Sequence, residues 1–310
     1  MKKTKFVTSF YMDITEFTNG RWIGSASSRK QRYLSSMIYH CKNFPNSDFI
    51  CYTHKINLDE LTKLKEDYEL QNFKIKVKEL DEIKYTSKIN RVVNNVPNYL
   101  EVFNLPGRPP QVMWGKFDLM KEECLDGTDF VYWIDAGLQA VQLFPLRYNP
   151  FINDEDVWTS FHKQGNFGLF FNETLLKSLN PKSENKFTIL LNVNPEDSYQ
   201  TFENWSPQPS EYPIAGFFGG DNKIVLEYCE EFDKAVDKYV QHNYLCFEQP
   251  IMKYVLDHFP KEKLLKLFFE THQRGFDYDS FHFKPWSKET GLPRPLYVVF
   301  EELFEEGKKI

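Results

Sequence analysis

The segment Phe130–Ile134 constrains the fold of this chain more than any other, because a carboxylate follows it at once. Its five residues are apolar at every position, so both faces of a strand built from them would be apolar. Strands covered on both faces are typical of the centre of a parallel sheet. Asp135 then falls at the carboxyl end of that strand, the edge at which open α/β sheets bind ligands. The segment therefore predicts an α/β fold with a site centred on Asp135.

Strand and helix patterns alternate through the first half of the chain. The spacing of apolar residues predicts strands at 5–11, 48–53 and 73–77, and helices at about 27–42, 57–68 and 111–124. This alternation is typical of a doubly wound sheet. The second half is less regular. Its patterns predict strands at 187–193 and 214–220, helices after Asp221 and at 248–258, and a polar, proline-rich surface loop at 194–213.

Length and composition narrow the class of protein. The 310 residues fit one large domain, and a net charge of −6 with both signs interspersed gives no indication of a broad nucleic-acid-binding surface. The five cysteines include no CxxC pair, which predicts reduced thiols and a cytoplasmic protein. No run of about 18 apolar residues is present, so no membrane span is predicted. The apolar run 6–11 is too short for a signal peptide.

Several common catalytic motifs are missing from the sequence. It contains no GxxxxGK[ST] phosphate loop, no GxGxxG after the first strand, no GxSxG elbow and no HExxH helix. These absences argue against the enzyme classes that depend on those motifs.

The residues around Asp135 favour a binding role for its carboxylate. Ala136 and Gly137 are small, so a ligand could approach the backbone closely. A carboxylate in this place can hold a divalent cation or a ribose hydroxyl. The alternative is that Asp135 only caps the following turn.

The segment Trp133–Gly137 (WIDAG) resembles the DxD strand of GT-A glycosyltransferases. In that family the carboxylates bind Mn²⁺ or Mg²⁺, which neutralises the diphosphate of a nucleotide-sugar. Here Gly137 stands where the second Asp would be, so the resemblance implies a metal held by Asp135 with help from elsewhere. The segment 281–286 (FHFKPW) is similar to the C-terminal segment of glycogenin-like glycosyltransferases, which implies His282 as a metal ligand and Lys284 as a diphosphate contact. The alternative is a surface loop held down by Trp286.

Two segments of the second half are candidates for the acceptor side. The glycine-rich segment 215–221 resembles a GT-A strand and loop near the donor sugar and acceptor, which implies roles for Phe218, Gly219, Gly220 and Asp221. The alternative is a tight strand-to-helix turn. Glu248 opens a predicted helix, where GT-A enzymes place the base that deprotonates the acceptor hydroxyl. First-turn capping by the helix dipole is the alternative for Glu248.

The amino-terminal strand resembles the GT-A strand that cradles the nucleoside. That resemblance implies hydrogen bonds from Thr8 or Ser9 and base stacking by an aromatic side chain such as Phe10. Three cations on predicted helices are candidate diphosphate contacts, and solvated surface positions are the alternative for each: Arg29, Arg32 and Lys116.

The order of motifs from about 5 to 290 resembles the bacterial HtrL/YibB-type glycosyltransferases. The resemblance implies one GT-A-like (Rossmann-like) catalytic domain over 1–310, with a nucleotide-binding half at about 1–140 and an acceptor-binding half at about 141–310. It implies a nucleotide-sugar donor, a UDP-sugar first, and as acceptor a glycan, a protein or a modified nucleic-acid base. Two alternatives stay open: a metal-dependent nucleotidyltransferase or phosphoesterase, and a non-catalytic sugar-nucleotide-binding protein on a degenerate GT-A fold.

Overall fold

A computed structural model describes residues 2–12, 27–95, 110–136, 172–194, 210–269, 303 and 305–310. It confirms the predicted class, a Rossmann-like α/β fold in which a mixed sheet is flanked by helices. The strands are β1 (Thr4–Phe10), β2 (Asp48–Thr53), β3 (Phe73–Val77), β4 (Phe130–Ile134), β5 (Phe187–Asn194), β6 (Ser210–Asp221) and β7 (Leu264–Phe269). The α-helices are α1 (Ser27–Asn43), α2 (Leu58–Asp67), α3 (Thr86–Asn95), α4 (Pro110–Cys124), α5 (Glu173–Lys182), α6 (Asn222–Gln241) and α7 (Glu248–His258).

The seven described strands form one sheet in the order β3-β2-β1-β4-β6-β5-β7. Strands β1 to β4 run parallel, with Val7 opposite Trp133 in the central β1–β4 pair. Strand β6 runs antiparallel to both β4 and β5. Strands β1, β2, β3 and β4 therefore end at the same side of the sheet, here called the carboxyl edge.

Strand β4 lies at the centre of the sheet and its side chains enter two separate cores. Val131 and Trp133 point into a core formed with α3, α4, α6 and α7. Phe130, Tyr132 and Ile134 point into the other core, formed with α1, α2 and α5. The alternation follows from the two-residue period of a strand. All five residues are buried, as the uninterrupted apolar run predicts.

A buried ion pair closes the opposite side of the sheet, the amino edge. Lys5 near the start of β1 places its Nζ 2.8 Å from Glu123 Oε2 and also bonds the carboxylate of Asp126. The side chains of Lys5 and Glu123 are almost wholly buried. Burial acts to lower the pKa of Lys5, but the bonds to Asp126 and Glu123 outweigh it and the pKa is raised.

Strand β6 lies so close to the neighbouring backbone on both sides that two of its residues must be glycine. Gly219 has φ of +141° and Gly220 has φ of +138°, conformations that L side chains rarely adopt. A Cβ on Gly219 would lie 2.2 Å from Val131 O, and one on Gly220 would lie 2.3 Å from Lys186 O. Both contacts are with backbone atoms, so no side chain could move aside to relieve them.

None of the described helices combines the length and the apolar character needed to cross a bilayer.

Candidate functional site

Asp135 is fixed by two hydrogen bonds where β4 ends at the carboxyl edge. Its backbone N–H donates to Gly216 O of β6 at 2.8 Å. Its carboxylate Oδ1 accepts a hydrogen bond from the indole Nε1 of Trp133 at 2.7 Å. Trp133 and Asp135 share a face of the chain because they are two residues apart, and Trp133 itself is buried in the core. The carboxylate is therefore oriented before any ligand arrives.

Lys116 of α4 brings a buried positive charge to Asp135. Its Nζ lies 2.9 Å from Asp135 Oδ1 and 2.9 Å from Glu248 Oε1. It also donates to Ala215 O of β6 at 2.8 Å. The Lys116 side chain is only 8% exposed, and its ammonium lies 5.4 Å from the centre of the Trp133 ring. The ammonium thus forms ion pairs with two carboxylates and a hydrogen bond with one backbone carbonyl.

Glu248 completes the cluster from the first residue of α7. The partial positive charge at a helix amino terminus favours a carboxylate there. Pro250 fits the first turn, where a backbone N–H has no partner within the helix. Trp114 of α4 donates from Nε1 to Cys246 O at 2.9 Å, which ties the chain just before α7 to the helix that carries Lys116. Glu248 is itself buried, 5% exposed.

The electrostatics of this Asp135–Lys116–Glu248 cluster keep Lys116 charged. Burial acts to lower the pKa of Lys116, but the opposite charges of Asp135 and Glu248 and their hydrogen bonds outweigh burial, so the pKa is raised. Two carboxylates thus face one ammonium, which leaves one negative charge without a counter-charge in the cluster. Asp135 Oδ1 and Glu248 Oε1 both contact Nζ, so these two oxygens are separated by no more than roughly twice a hydrogen-bond length.

Asp135 is the most exposed member of the cluster. Its side chain is 38% exposed, whereas those of Lys116 and Glu248 are 8% and 6% exposed. Within the described part of the chain, Asp135 Oδ2 makes no hydrogen bond or ion pair. A carboxylate oxygen of this kind suits a hard divalent cation such as Mg²⁺ or Mn²⁺. The described residues contain no group of three His, Cys, Asp or Glu side chains that could hold a metal ion.

The structure brings together three of the residues singled out from the sequence: Asp135, Glu248 and Lys116. Lys116 differs from expectation in its contacts. It was a candidate diphosphate contact, and in the structure its ammonium faces the carboxylates of Asp135 and Glu248 and the carbonyl of Ala215. The diphosphate role stays a prediction.

Strand β1 also reaches the carboxyl edge near Asp135. Val7 pairs with Trp133, and the residues after Val7 run in the same direction as those after Trp133. Ser9 is half-buried on the face that Val7 also occupies. Thr8 is fully buried, and its Oγ1 has no hydrogen-bond partner among the described residues. Phe10 is fully buried in the core with Phe6, so its ring is not offered to a ligand.

The predicted acceptor residues of β6 lie away from the cluster. Phe218 is fully buried and pairs with Trp133, Gly219 pairs with Tyr132, and Gly220 with Val131. Asp221 pairs with Phe130 at the start of β4, about 17 Å along the strand from Asp135. Its side chain caps α6 by accepting from Lys223 N at 3.0 Å. The segment has the geometry of the tight strand-to-helix turn.

The remaining predicted residues cannot be placed. Arg29 and Arg32 belong to α1, but their side chains lie outside the described part of the structure. His282, Lys284 and Gly137 also fall outside the described residues. Their proposed roles stay predictions.

Two contributors to the cluster were not singled out from the sequence. Trp133 donates to Asp135, and the signal was available because residues two apart on a strand share a face. Ala215 contributes a backbone carbonyl to Lys116, which depends on the pairing of β6 with β4 and has no sequence signature.

Comparisons with known proteins do not assign a family. No family model matches the chain, and no curated protein matches it. Among solved structures, the 4-diphosphocytidyl-2C-methyl-D-erythritol synthase from Anaerococcus prevotii is similar at a TM-score of 0.41 and 12% identity, over 86% of this chain and 87% of that chain. A candidate glucose-1-phosphate thymidylyltransferase from Bacillus anthracis, solved in complex with a sucrose, is also similar. Its TM-score is 0.38 and its sequence identity 12%, over 99% of this chain and 96% of that chain. At these scores neither similarity supports a function for this chain.

Proposed function

We propose that this protein is a nucleotide-sugar-dependent glycosyltransferase whose active site is the Asp135–Lys116–Glu248 cluster. The observation that carries the proposal is the meeting of Asp135 and Glu248 on one buried ammonium at the carboxyl edge. Ligands of open α/β sheets bind at this edge. The resemblance of WIDAG to a GT-A strand gives the reaction class.

Asp135 is assigned to the donor side. It is the exposed member of the cluster, and two hydrogen bonds fix it. Asp135 Oδ2 would bind a divalent cation or a ribose hydroxyl of the donor. A divalent cation would supply charge for the diphosphate as it leaves. His282 is proposed as a further ligand of such a cation, and Lys284 as a contact to the diphosphate.

Glu248 is assigned to the acceptor side, where it would act as the base if the reaction inverts the anomeric centre. The acceptor oxygen would form a bond to the anomeric carbon, and the bond from that carbon to the diphosphate oxygen would break. The electron pair of the broken bond leaves with the nucleoside diphosphate, and the acceptor proton passes to the Glu248 carboxylate. The proposed acceptor is a glycan, a protein or a modified nucleic-acid base.

The experiment is a thermal-shift panel of UDP-, GDP-, CMP- and ADP-sugars with and without Mn²⁺. A nucleotide-sugar at 100 times its Kd should stabilise the fold by about 2.7 kcal/mol. The stabilising donor is then tested for release of its nucleoside phosphate. If no donor stabilises the protein, the proposal fails.

Two further assays separate the rival functions. Release of pyrophosphate from a nucleoside triphosphate and a sugar phosphate would identify a nucleotidyltransferase. Binding of a nucleotide-sugar without turnover, in the presence of Mn²⁺ and of candidate acceptors, would identify a non-catalytic binding protein.

A further inference from the structure

Lys116 is a buried cation whose ammonium lies against three oxygen atoms of the protein. Its three acceptors are Asp135 Oδ1, Glu248 Oε1 and Ala215 O, all at 2.8–2.9 Å. A bound diphosphate would have to displace one of these acceptors to reach the ammonium. Lys116 is thus placed to act on the carboxylates themselves.

The three acceptors belong to three different elements. Asp135 follows β4, Ala215 lies in β6, and Glu248 begins α7. The ammonium therefore sets how the start of α7 sits against the end of β4. Without its charge, two carboxylates would face each other across a few ångströms of protein interior, where like charges repel strongly.

We infer that Lys116 is a positioning residue, which acts through Asp135 and Glu248 by holding the two carboxylates at a fixed separation. This inference rests on the proposed function, because that function assigns the two carboxylates to donor and acceptor. In this role Lys116 acts on the carboxylates and not on the substrates directly.

Lys5 offers a matched control on the opposite edge of the sheet. It is also a buried lysine, 2% exposed, and it also pairs with two carboxylates, Glu123 and Asp126. Its partner Glu123 lies on the same helix as Lys116, about two turns further along. Loss of Lys5 should therefore affect the fold as loss of Lys116 does, without touching the active site.

The kinetic test compares Lys116→Met with Lys5→Met in the release of nucleoside diphosphate from the donor found by the panel. We expect Lys116→Met to lower kcat at least 100-fold while the donor KM changes less than about threefold. Lys5→Met should lower Tm by a similar amount and leave kcat per folded molecule unchanged. Ethylammonium should restore kcat at least tenfold in Lys116→Ala and have no effect on Lys5→Ala. Wild-type kcat in Lys116→Met would overturn the inference.

If Lys116→Met does not fold, the kinetic test uses Lys116→Arg instead. Arginine keeps the positive charge but changes the geometry of the N–H donors. We expect a loss of kcat of at least tenfold in Lys116→Arg. Wild-type kcat in that variant would overturn the inference.

A thermal double-mutant cycle tests the same coupling without any substrate. Lys116→Met should lower Tm by about 5–10 °C, because it leaves buried carboxylates without a counter-charge. Adding Glu248→Gln should return part of that loss, since it removes one of the two charges. Additive shifts would overturn the inference. If the wild type turns over no nucleotide-sugar, the proposed function fails, while the cycle still decides whether Lys116 couples the two carboxylates.

Discussion

Gly219→Ala should destabilise the fold severely, and the structure sets the size of the effect. The new Cβ would lie 2.2 Å from Val131 O and 2.6 Å from Tyr132 Cα, both backbone atoms of the central strand. Relieving this contact requires β6 to move away from β4, which is comparable to overpacking a core and costs about 1–3 kcal/mol. Holding an L residue at φ of +141° adds about 1–3 kcal/mol. We expect a total loss of about 2–6 kcal/mol.

Gly127→Ala is the control for the conformational part of this loss. Gly127 also has positive φ, +80°, but no atom of the described residues lies within 4 Å of a Cβ placed there. It should cost only about 1–2 kcal/mol. Urea unfolding of both variants, extrapolated to water, gives the comparison. Equal losses in the two variants would refute the close approach of β6 to β4.

Three further predictions test other parts of the structure. Trp133→Phe should lower the rate of nucleoside diphosphate release about tenfold, because it removes the hydrogen-bond donor to Asp135. The control is Tyr132→Phe, on the other face of β4, which should leave that rate unchanged. Equal rates in the two variants would count against the Trp133 hydrogen bond. Trp114→Phe should cost about 1–2 kcal/mol in urea unfolding, since it leaves the buried Cys246 carbonyl without its indole donor; an unchanged midpoint would contradict this. Burial lowers the pKa of His40 to about 3, below the usual 6.5. Between pH 6.5 and pH 3 the unfolded chain therefore binds more protons than the folded protein. The free energy of unfolding falls as the pH is lowered through that range. Between pH 7 and pH 5, wild type should lose about 2 kcal/mol more than His40→Gln, and equal losses would show that His40 is not buried in its neutral form.

The chemistry-bearing residues could be predicted from local sequence, but their meeting could not. Asp135 was marked by the apolar run before it, and Glu248 by its place at the start of a helix. Lys116 was one of several helical cations, and nothing in its own segment shows that it is buried against both carboxylates. That contact depends on α4 and α7 packing on the same face of the sheet, which local periodicity does not encode.

The glycine-rich segment shows a second limit, the direction of a strand. In a parallel strand the carboxyl end of the segment, Gly219–Asp221, would lie beside Asp135. Because β6 runs antiparallel to β4, the start of the segment reaches the site instead, through Ala215 and Gly216. The polar stretch before it also forms part of β6 from Ser210, because pairing with β5 outweighs its weak strand propensity.

Helix α3, helix α5 and strand β7 were not predicted. Strand β7 (LLKLFF) is short and mostly apolar, so its period alone does not separate a strand from a buried helix. It is a strand because β5 offers it a parallel partner in the sheet.

The most direct test of the proposed active site is the rate of nucleoside diphosphate release in Asp135→Asn, measured with the donor that stabilises the wild type. Asn keeps the size of the side chain and an oxygen acceptor but removes the charge that would hold a cation or orient the donor. We predict a loss of at least 100-fold in kcat, with Glu248 and Lys116 still paired and the protein folded. An undiminished rate in Asp135→Asn would contradict the assignment of Asp135 as the centre of the site.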